Sequence, residues 1–285
     1  MGFTEPLYRP ELRHMLQSEA RCAGECVKQE REKLINLPGV VTLLLLLLGG
    51  VQFIVAFGPQ TVSGRLYDAL AFIPARLSFY LSPAEVVAHL SDGTIDPGAA
   101  AQISLATAGG MAAAATLLSY AFLHGGWSHY FVNALTLAAF GAPIARRLGD
   151  SLFLLFLAGG AIAGALTHLL FHPFDIAPVV GASAAISGAM AGMVRFAFPA
   201  GGPAHLDFSQ KRAPSEAETL PALARNRTAM GFVLVWFGSN ALMGAFPQAF
   251  GATELIAWEA HIGGFLFGLI TFGFFDRLAS RFRAI

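Results

Sequence analysis

Four polar side chains interrupt long apolar runs, and their types suit hydrolysis of an acyl bond. They are Ser183, His261 and the pair His129 and Asn133. A serine hydroxyl becomes an effective nucleophile when a base takes its proton, and a neutral imidazole is suited to that task. The oxyanion that forms then needs hydrogen-bond donors, which an amide, a second imidazole and backbone N–H groups can provide. These residues therefore predict nucleophilic hydrolysis by a serine and a histidine.

The spacing around these residues adds to that prediction. His129 and Asn133 are four residues apart, so they share one face of a helix. Gly181 lies two residues before Ser183 and allows the chain to turn tightly ahead of the nucleophile. Each polar residue also has a structural interpretation, because an intramembrane serine often bonds back to its own helix and asparagine can link neighbouring helices.

The elements that must position these residues are membrane helices. Of the 285 residues, 55% are hydrophobic and 13% are charged, whereas about 25% are charged in ordinary soluble domains. The mean hydropathy is +0.60. Apolar runs of about 20 residues, the length that crosses a bilayer, predict six spans, at 37–57, 127–145, 152–171, 183–199, 229–248 and 257–275. The sequence therefore predicts an all-α polytopic membrane protein.

Arginine and lysine indicate how the spans are oriented, since positive charge is retained on the cytoplasmic side. If both termini are cytoplasmic, all but two of the 18 basic residues lie on that side. The two exceptions are Arg65 and Arg76, between the first and second spans. The second, fourth and sixth spans then begin at the outer face. This places the four candidate residues near one depth, within about two turns of the outer helix ends.

The segments outside the spans divide the chain. Residues 1–36 are polar and charged, and they predict a cytoplasmic tail ahead of a membrane domain at 37–285. The outer connection, at about 59–110, is long for a loop without structure. Within it, the SPAE run at 82–85 has the serine, proline and glutamate of a helix start. Its low charge favours an element at the membrane interface over a solvated linker.

The cysteines and the net charge bear on cofactors and partners. Cys22 and Cys26 are the only two cysteines, and no second pair of ligands with zinc spacing accompanies them. We therefore predict no metal and no other cofactor, and we expect ordinary roles for both cysteines. The formal net charge is zero, so no nucleic-acid partner is expected.

Three motifs, on the second, fourth and sixth predicted spans, resemble those of the rhomboid intramembrane serine proteases. They are HGGWSHYFVN at His124–Asn133, GASAAISG at Gly181–Gly188 and AHIGGFLFG at Ala260–Gly268. They match the family patterns H-x4-H-x3-N, G-x-S-x and A-H-x2-G-x3-G. The likeness extends from about residue 37 to 275. Two residues depart from it, Ala184 where the family often has glycine and Ala145 where many members have glutamate; these departures bear on substrate choice and loop packing.

The resemblance implies a six-helix rhomboid-like bundle with a long outer loop between helices 1 and 2. It implies a Ser–His dyad in which Ser183 is the nucleophile and His261 the general base, with no carboxylate required. His129, Asn133 and the backbone N–H of Ser183 would form the oxyanion hole, and His124 would steady the outer loop. Substrates would be transmembrane segments of other membrane proteins, cut near small and helix-destabilising residues.

Two other functions are weighed against an active protease. A catalytically silent rhomboid-like protein would bind membrane proteins without cutting them, but the presence of Ser183 and His261 argues against it. A transporter would be expected to have an inverted repeat and charged groups at the bilayer midplane, which the sequence does not display. The expected partners are transmembrane protein substrates and membrane lipid, and no oligomeric state is predicted. The expected location is the bacterial cytoplasmic membrane, with the active site opening to the outer face.

Overall fold

Every described element of regular structure is a helix, as the apolar runs predict. This computed structural model describes residues 37–91, 110–198, 216–246 and 257–283. They all belong to one compact unit, Leu37–Ile285. The helices in chain order are α1 (Gly39–Phe57), α2 (Gln60–Leu70), α3 (Pro74–Leu81), α4 (Pro83–Ser91), α5 (Gly110–Ser119), α6 (Trp127–Thr136), α7 (Ala142–Leu148), α8 (Asp150–Phe171), α9 (Ser183–Ala197), α10 (Leu220–Arg225), α11 (Arg227–Ala245) and α12 (Trp258–Arg283).

Each of the six predicted spans overlaps a described helix. Among the described residues, four helices are long and apolar enough to cross a membrane: α1, α8, α11 and α12. The second predicted span corresponds to α6 and α7, which are joined by a π-helical turn at Leu137–Gly141. The fourth corresponds to α9, which has only 15 residues. The all-α membrane architecture is therefore confirmed, while six crossings remain a prediction.

Helix α9 lies between α8 and α12, and all but three of its 15 residues are buried. Small residues make this close packing feasible. A Cβ atom added at Gly188 would lie 3.1 Å from the carbonyl oxygen of Gly264, and one at Gly160 of α8 would lie 3.3 Å from the Cα atom of Ala185. A Cβ atom at Gly268 would overlap the backbone of Gly188. These small residues thus bring α9 against both neighbours.

The ends of α7, α9 and α12 hold buried charges, and we call this region the charged end. Two nitrogens of Arg147 donate to the two carboxylate oxygens of Asp276, at 2.7 and 2.8 Å. The guanidinium of Arg147 also lies 4.6 Å from the ring centroid of Phe196. Arg195 donates to the carbonyl oxygen of Leu269 at 2.6 Å. Pairing of this kind is what makes charged groups tolerable in a low-dielectric interior.

The described part of the outer connection packs against the chain segment 172–181, which leads into α9. Phe72 and Val179 exchange backbone hydrogen bonds of 3.1 and 2.8 Å, and the hydroxyl of Ser78 donates to the carbonyl oxygen of Pro173. Helix α4 begins at Pro83, as the SPAE run predicts. Residues 92–109 of the connection, and the predicted tail at 1–36, lie outside the described residues.

Candidate active site

The turn before α9 presents Ser183 at the first position of the helix. Gly181 has a φ of +118°, a conformation that favours glycine because other side chains rarely adopt it. Its N–H donates to the carbonyl oxygen of Tyr120 at 3.0 Å. The first hydrogen bond into α9 runs from Ile186 to Ala182. The N–H groups of the helix start therefore have no partner within the helix, and they favour negative charge at this end.

The hydroxyl of Ser183 is within hydrogen-bonding distance of a histidine on another helix. Its Oγ atom lies 2.8 Å from Nε2 of His261, near the start of α12. Both residues are partly buried. The close packing of α9 on α12 brings the two side chains together. The hydroxyl of Ser183 therefore contacts a residue of another helix, and the alternative of a bond back to its own helix does not describe this contact.

A third side chain, Asn240 of α11, contacts the far side of the His261 ring. Its Oδ1 atom lies 2.8 Å from Nδ1 of His261, while its Nδ2 atom donates to the carbonyl oxygen of Trp236 at 2.9 Å. The second bond fixes which way the amide faces, so Nδ1 must carry the proton and donate to Oδ1. The Nε2 atom is then left as an acceptor facing the hydroxyl of Ser183.

The position of Asn240 is held by packing as well as by hydrogen bonds. The indole of Trp236 stacks on Phe265 of α12, with ring centroids 4.1 Å apart and an interplanar angle of 21°. This contact secures the turn of α11 that carries Asn240, whose side chain is buried. Asn240 is not among the site residues predicted from the sequence. The sequence signal that could have identified it is an asparagine within an apolar span, where polar groups are costly.

The imidazole of His129 lies beside the turn that carries Ser183. A Cβ atom added at Gly181 would be 2.8 Å from both Cε1 and Nε2 of His129. On the other side of the ring, Nδ1 accepts a hydrogen bond from the N–H of Gly125 at 3.3 Å. The ring is therefore neutral with its proton on Nε2. That atom is a donor next to the start of α9.

Asn133 and His124 are buried next to His129. Nδ2 of Asn133 donates to the carbonyl oxygen of His129 at 2.9 Å, and its Oδ1 atom has no hydrogen-bond partner among the described residues. The ring of His124 meets that of His129 edge-on, with centroids 5.2 Å apart. The backbone carbonyl oxygen of His124 accepts a hydrogen bond from the hydroxyl of Tyr67 on α2, at 2.9 Å. His124 thus connects the outer connection to the start of α6.

The other residues discussed from the sequence lie around this site. Ser187 and Ala145 are buried. The Cβ atom of Ala184 fills space left by Gly164 of α8, so a side chain larger than alanine would be excluded from this contact. Glu259 is directed away from His261, and its Oε1 atom lies 2.9 Å from Nε2 of His172.

Comparison with known proteins agrees with the motifs. The family model described as the Rhomboid domain matches residues 112–277, which is more than half of the chain. The chain belongs to the rhomboid family. A Bacillus subtilis (strain 168) protein named "Putative rhomboid protease YdcA" is 36% identical over 72 residues. That alignment covers 25% of this chain and 36% of the relative, so it spans about a third of the relative's length. The family suggested by the three motifs is thereby confirmed.

Proposed function

We propose that this rhomboid protein is an intramembrane serine endopeptidase that hydrolyses peptide bonds in or near transmembrane segments of other membrane proteins. The observation that carries the proposal is the 2.8 Å separation between Oγ of Ser183 and Nε2 of His261. A nucleophile and a base within hydrogen-bonding reach, with the base oriented by a third group, is the arrangement that covalent catalysis requires. Membership of the rhomboid family supports the same class of reaction.

The first chemical step forms an acyl-enzyme. Oγ of Ser183 attacks the carbonyl carbon of the scissile peptide bond, and its proton passes to Nε2 of His261. The tetrahedral intermediate then collapses, the C–N bond breaks, and His261 returns the proton to the departing amine. Asn240 keeps the imidazole aligned by accepting from Nδ1, and it supplies no charge. We therefore assign Asn240 as a positioning residue and retain the dyad as the reacting pair.

The second step reverses these roles with water as the nucleophile. His261 takes a proton from water, the hydroxide attacks the ester carbonyl, and the proton then returns to Oγ of Ser183 as the acid product leaves. In both steps the oxyanion would be stabilised by the backbone N–H of Ser183 and by Nε2–H of His129, whose tautomer suits this role. The second hydrogen on Nδ2 of Asn133, which is not used in its bond to His129, is assigned as a further donor.

The substrates and the topology are part of the same proposal. A peptide bond inside a helix has its carbonyl already hydrogen-bonded, so a segment that unwinds readily is the better substrate. We expect cuts near small residues, as the family resemblance implies. We assign residues 1–36 as a cytoplasmic tail and 37–285 as the six-span protease domain, with both termini cytoplasmic and the site opening to the outer face. A bacterial cytoplasmic membrane is the proposed location.

The decisive experiment separates reactivity of the serine from choice of substrate. The purified protein in detergent is treated with a fluorophosphonate probe, which labels activated serines, beside the variants Ser183→Ala and His261→Ala. Labelling of the wild type alone is expected. In parallel, a single-span substrate with small residues near its outer end is reconstituted with each protein in liposomes, and the cut is located by mass spectrometry. A folded wild type that neither labels nor cuts would instead favour the silent rhomboid-like protein that binds membrane proteins.

A further inference from the structure

Three metal-ligating side chains meet where the end of α8 lies against the beginning of α12. They are His168, His172 and Glu259, and their ligand atoms all lie within 4.8 Å of one another. The geometry points to a binding site for zinc or a similar divalent cation at this position. The inference goes beyond the proposed function, because none of the three residues takes part in hydrolysis of the peptide bond.

The sequence spacing and the helix geometry present both imidazoles on one face. His168 and His172 are four residues apart, and the N–H of His172 donates to the carbonyl oxygen of His168 at 2.9 Å. His172 follows the last helical residue of α8 and caps its final turn, and residues at this separation are neighbours on the helix surface. Two histidines at this spacing with a glutamate from another element form a ligand set that binds zinc in enzymes.

Two of the distances between the ligand atoms are close to those that zinc requires. Nε2 of His172 lies 2.9 Å from Oε1 of Glu259, and Nδ1 of His168 lies 3.4 Å from Oε2 of the same carboxylate. Zinc bonds of about 2.0–2.2 Å place tetrahedral ligand atoms about 3.3–3.6 Å apart. Small movements of the side chains would therefore admit the ion between the carboxylate and the two rings.

The hydrogen bonding of His168 is a second and independent observation. Its side chain is 7% exposed, yet neither ring nitrogen makes a hydrogen bond of good geometry to any described residue. Buried polar atoms without partners are rare in native proteins and often mark an ion or a water. Glu259 is also buried, at 8% exposure, and a buried carboxylate requires a positive partner. A bound cation would satisfy both groups.

The cluster is open to solvent, and it lies where a bound ion would join two helices. The side chain of His172 is 44% exposed, so an ion can reach the cluster from outside the bundle. Glu259 precedes His261 by two residues on α12. A cation held by all three ligands would therefore join the end of α8 to the helix start that carries the proposed base. Because only the folded chain presents this site, binding should raise the melting temperature with zinc concentration.

The test measures zinc binding directly. The full chain is purified in detergent with its affinity tag removed, and it carries Cys22→Ser and Cys26→Ser because thiolates also bind zinc. Zinc chloride is titrated by calorimetry, and thermal unfolding is recorded over the same concentrations. We expect one zinc ion per chain and a melting temperature that rises with added zinc.

Two variants and two controls locate the ion. His172→Ala and Glu259→Gln should each weaken zinc binding by more than about 100-fold, since even outer ligand contacts are worth 10–100-fold, and should abolish the thermal shift. His89→Ala, which removes an imidazole on α4, should bind zinc like the parent protein. His129→Ala should do the same, because His129 belongs to the separate serine site. Unfolding curves without zinc establish that each variant is folded.

The inference is overturned by any of three results. It fails if the parent protein binds no stoichiometric zinc, or if the zinc affinity is unchanged in both His172→Ala and Glu259→Gln. It also fails if zinc binding is lost in His129→Ala and retained in His172→Ala and Glu259→Gln. The first would leave the cluster as a hydrogen-bonded contact between helices, and the third would move the ion to the serine site. Because the readout is binding, failure of the protease proposal would not affect it.

Discussion

Two polar clusters lie at opposite ends of the same helices, and they differ in how completely their hydrogen-bonding capacity is used. Helix α12 carries His261 at one end and Asp276 at the other, 15 residues or about 22 Å apart. At the charged end, Arg147 satisfies both oxygens of Asp276. At the serine site, both ring nitrogens of His124 and the Oδ1 atom of Asn133 are buried without a partner among the described residues.

This difference shows that depth in the membrane does not by itself make a polar residue functional. Arg147 and Asp276 are paired with each other through two hydrogen bonds. The pairing offsets the cost of desolvating the two charges and joins two helices. The serine site retains N–H donors that a developing oxyanion can use, such as Nε2–H of His129. The two ends should therefore respond differently to substitution. Changes at one end should affect the chemistry, and changes at the other should affect folding.

The largest expected effect is on catalysis at the serine site. Ser183→Ala should lower cleavage of a single-span substrate by on the order of 10⁶-fold, since removing a serine nucleophile has an effect of that size. The melting temperature should stay close to that of the wild type, because only a partly buried hydroxyl is lost. Ser187→Ala, one helical turn further on, is the matched control and should still cut. Equal activity of Ser183→Ala and wild type would remove the proposed nucleophile.

The next effect concerns stability at the charged end. Arg147→Ala leaves the Asp276 carboxylate buried without its partner, and it should destabilise the fold by about 3–5 kcal/mol. The measurement is thermal or denaturant unfolding in detergent, with fluorophosphonate labelling of whatever fraction remains folded. We expect that fraction to label like the wild type. A stable Arg147→Ala protein that fails to label would mean that the two ends do not have separate roles.

A smaller catalytic effect is expected from one oxyanion donor. Asn133→Ala should reduce the cleavage rate by about 10²–10³-fold, equivalent to roughly 2.7–4 kcal/mol of transition-state stabilisation. The loss should fall on kcat, because the donor acts on charge that develops only in the transition state. Steady-state kinetics in liposomes would measure it. Wild-type kcat in Asn133→Ala would exclude the amide as a donor.

The smallest effect should come from Asn240, the residue that we propose orients the base. Asn240→Ala removes a neutral hydrogen bond to Nδ1 of His261, and it should lower kcat by up to about tenfold, in line with about 0.5–1.5 kcal/mol for such a bond. Asn240→Asp retains an acceptor at this position and should recover part of the loss. Ser239→Ala alters the adjacent exposed residue and serves as the control. If Asn240→Ala lowers thermal stability alone, the amide has only a structural role.

The sequence predicts the helices and the reacting residues more fully than it predicts the contacts between helices. Long apolar runs fix where α1, α8, α11 and α12 lie, because each must hydrogen-bond its own backbone in lipid. The motif residues Ser183 and His261 could be named because their types suit the chemistry. The π-helical turn at Leu137–Gly141 and the helix α5 were not predicted, since neither changes the apolar pattern strongly.

Residues whose role depends on a distant partner were the ones that sequence analysis missed. Asn240 becomes informative only when α11 is placed against α12, and the pairing of Arg147 with Asp276 joins residues 129 positions apart. The same applies to His168 and His172, whose spacing is visible in the sequence but whose third neighbour is not. Hydropathy and motif spacing describe single helices, and the partner of each polar group is set by tertiary packing.

The length of α9 has a consequence for how a cutting position would be selected. Its 15 residues rise only about 22 Å, whereas the hydrocarbon layer is about 30 Å thick. If the charged end lies at one surface of the bilayer, the hydroxyl of Ser183 is held about 8 Å below the other. The length of the helix would then set the depth of the hydroxyl in the bilayer, so the same substrate in a thicker bilayer would be cut at a different peptide bond.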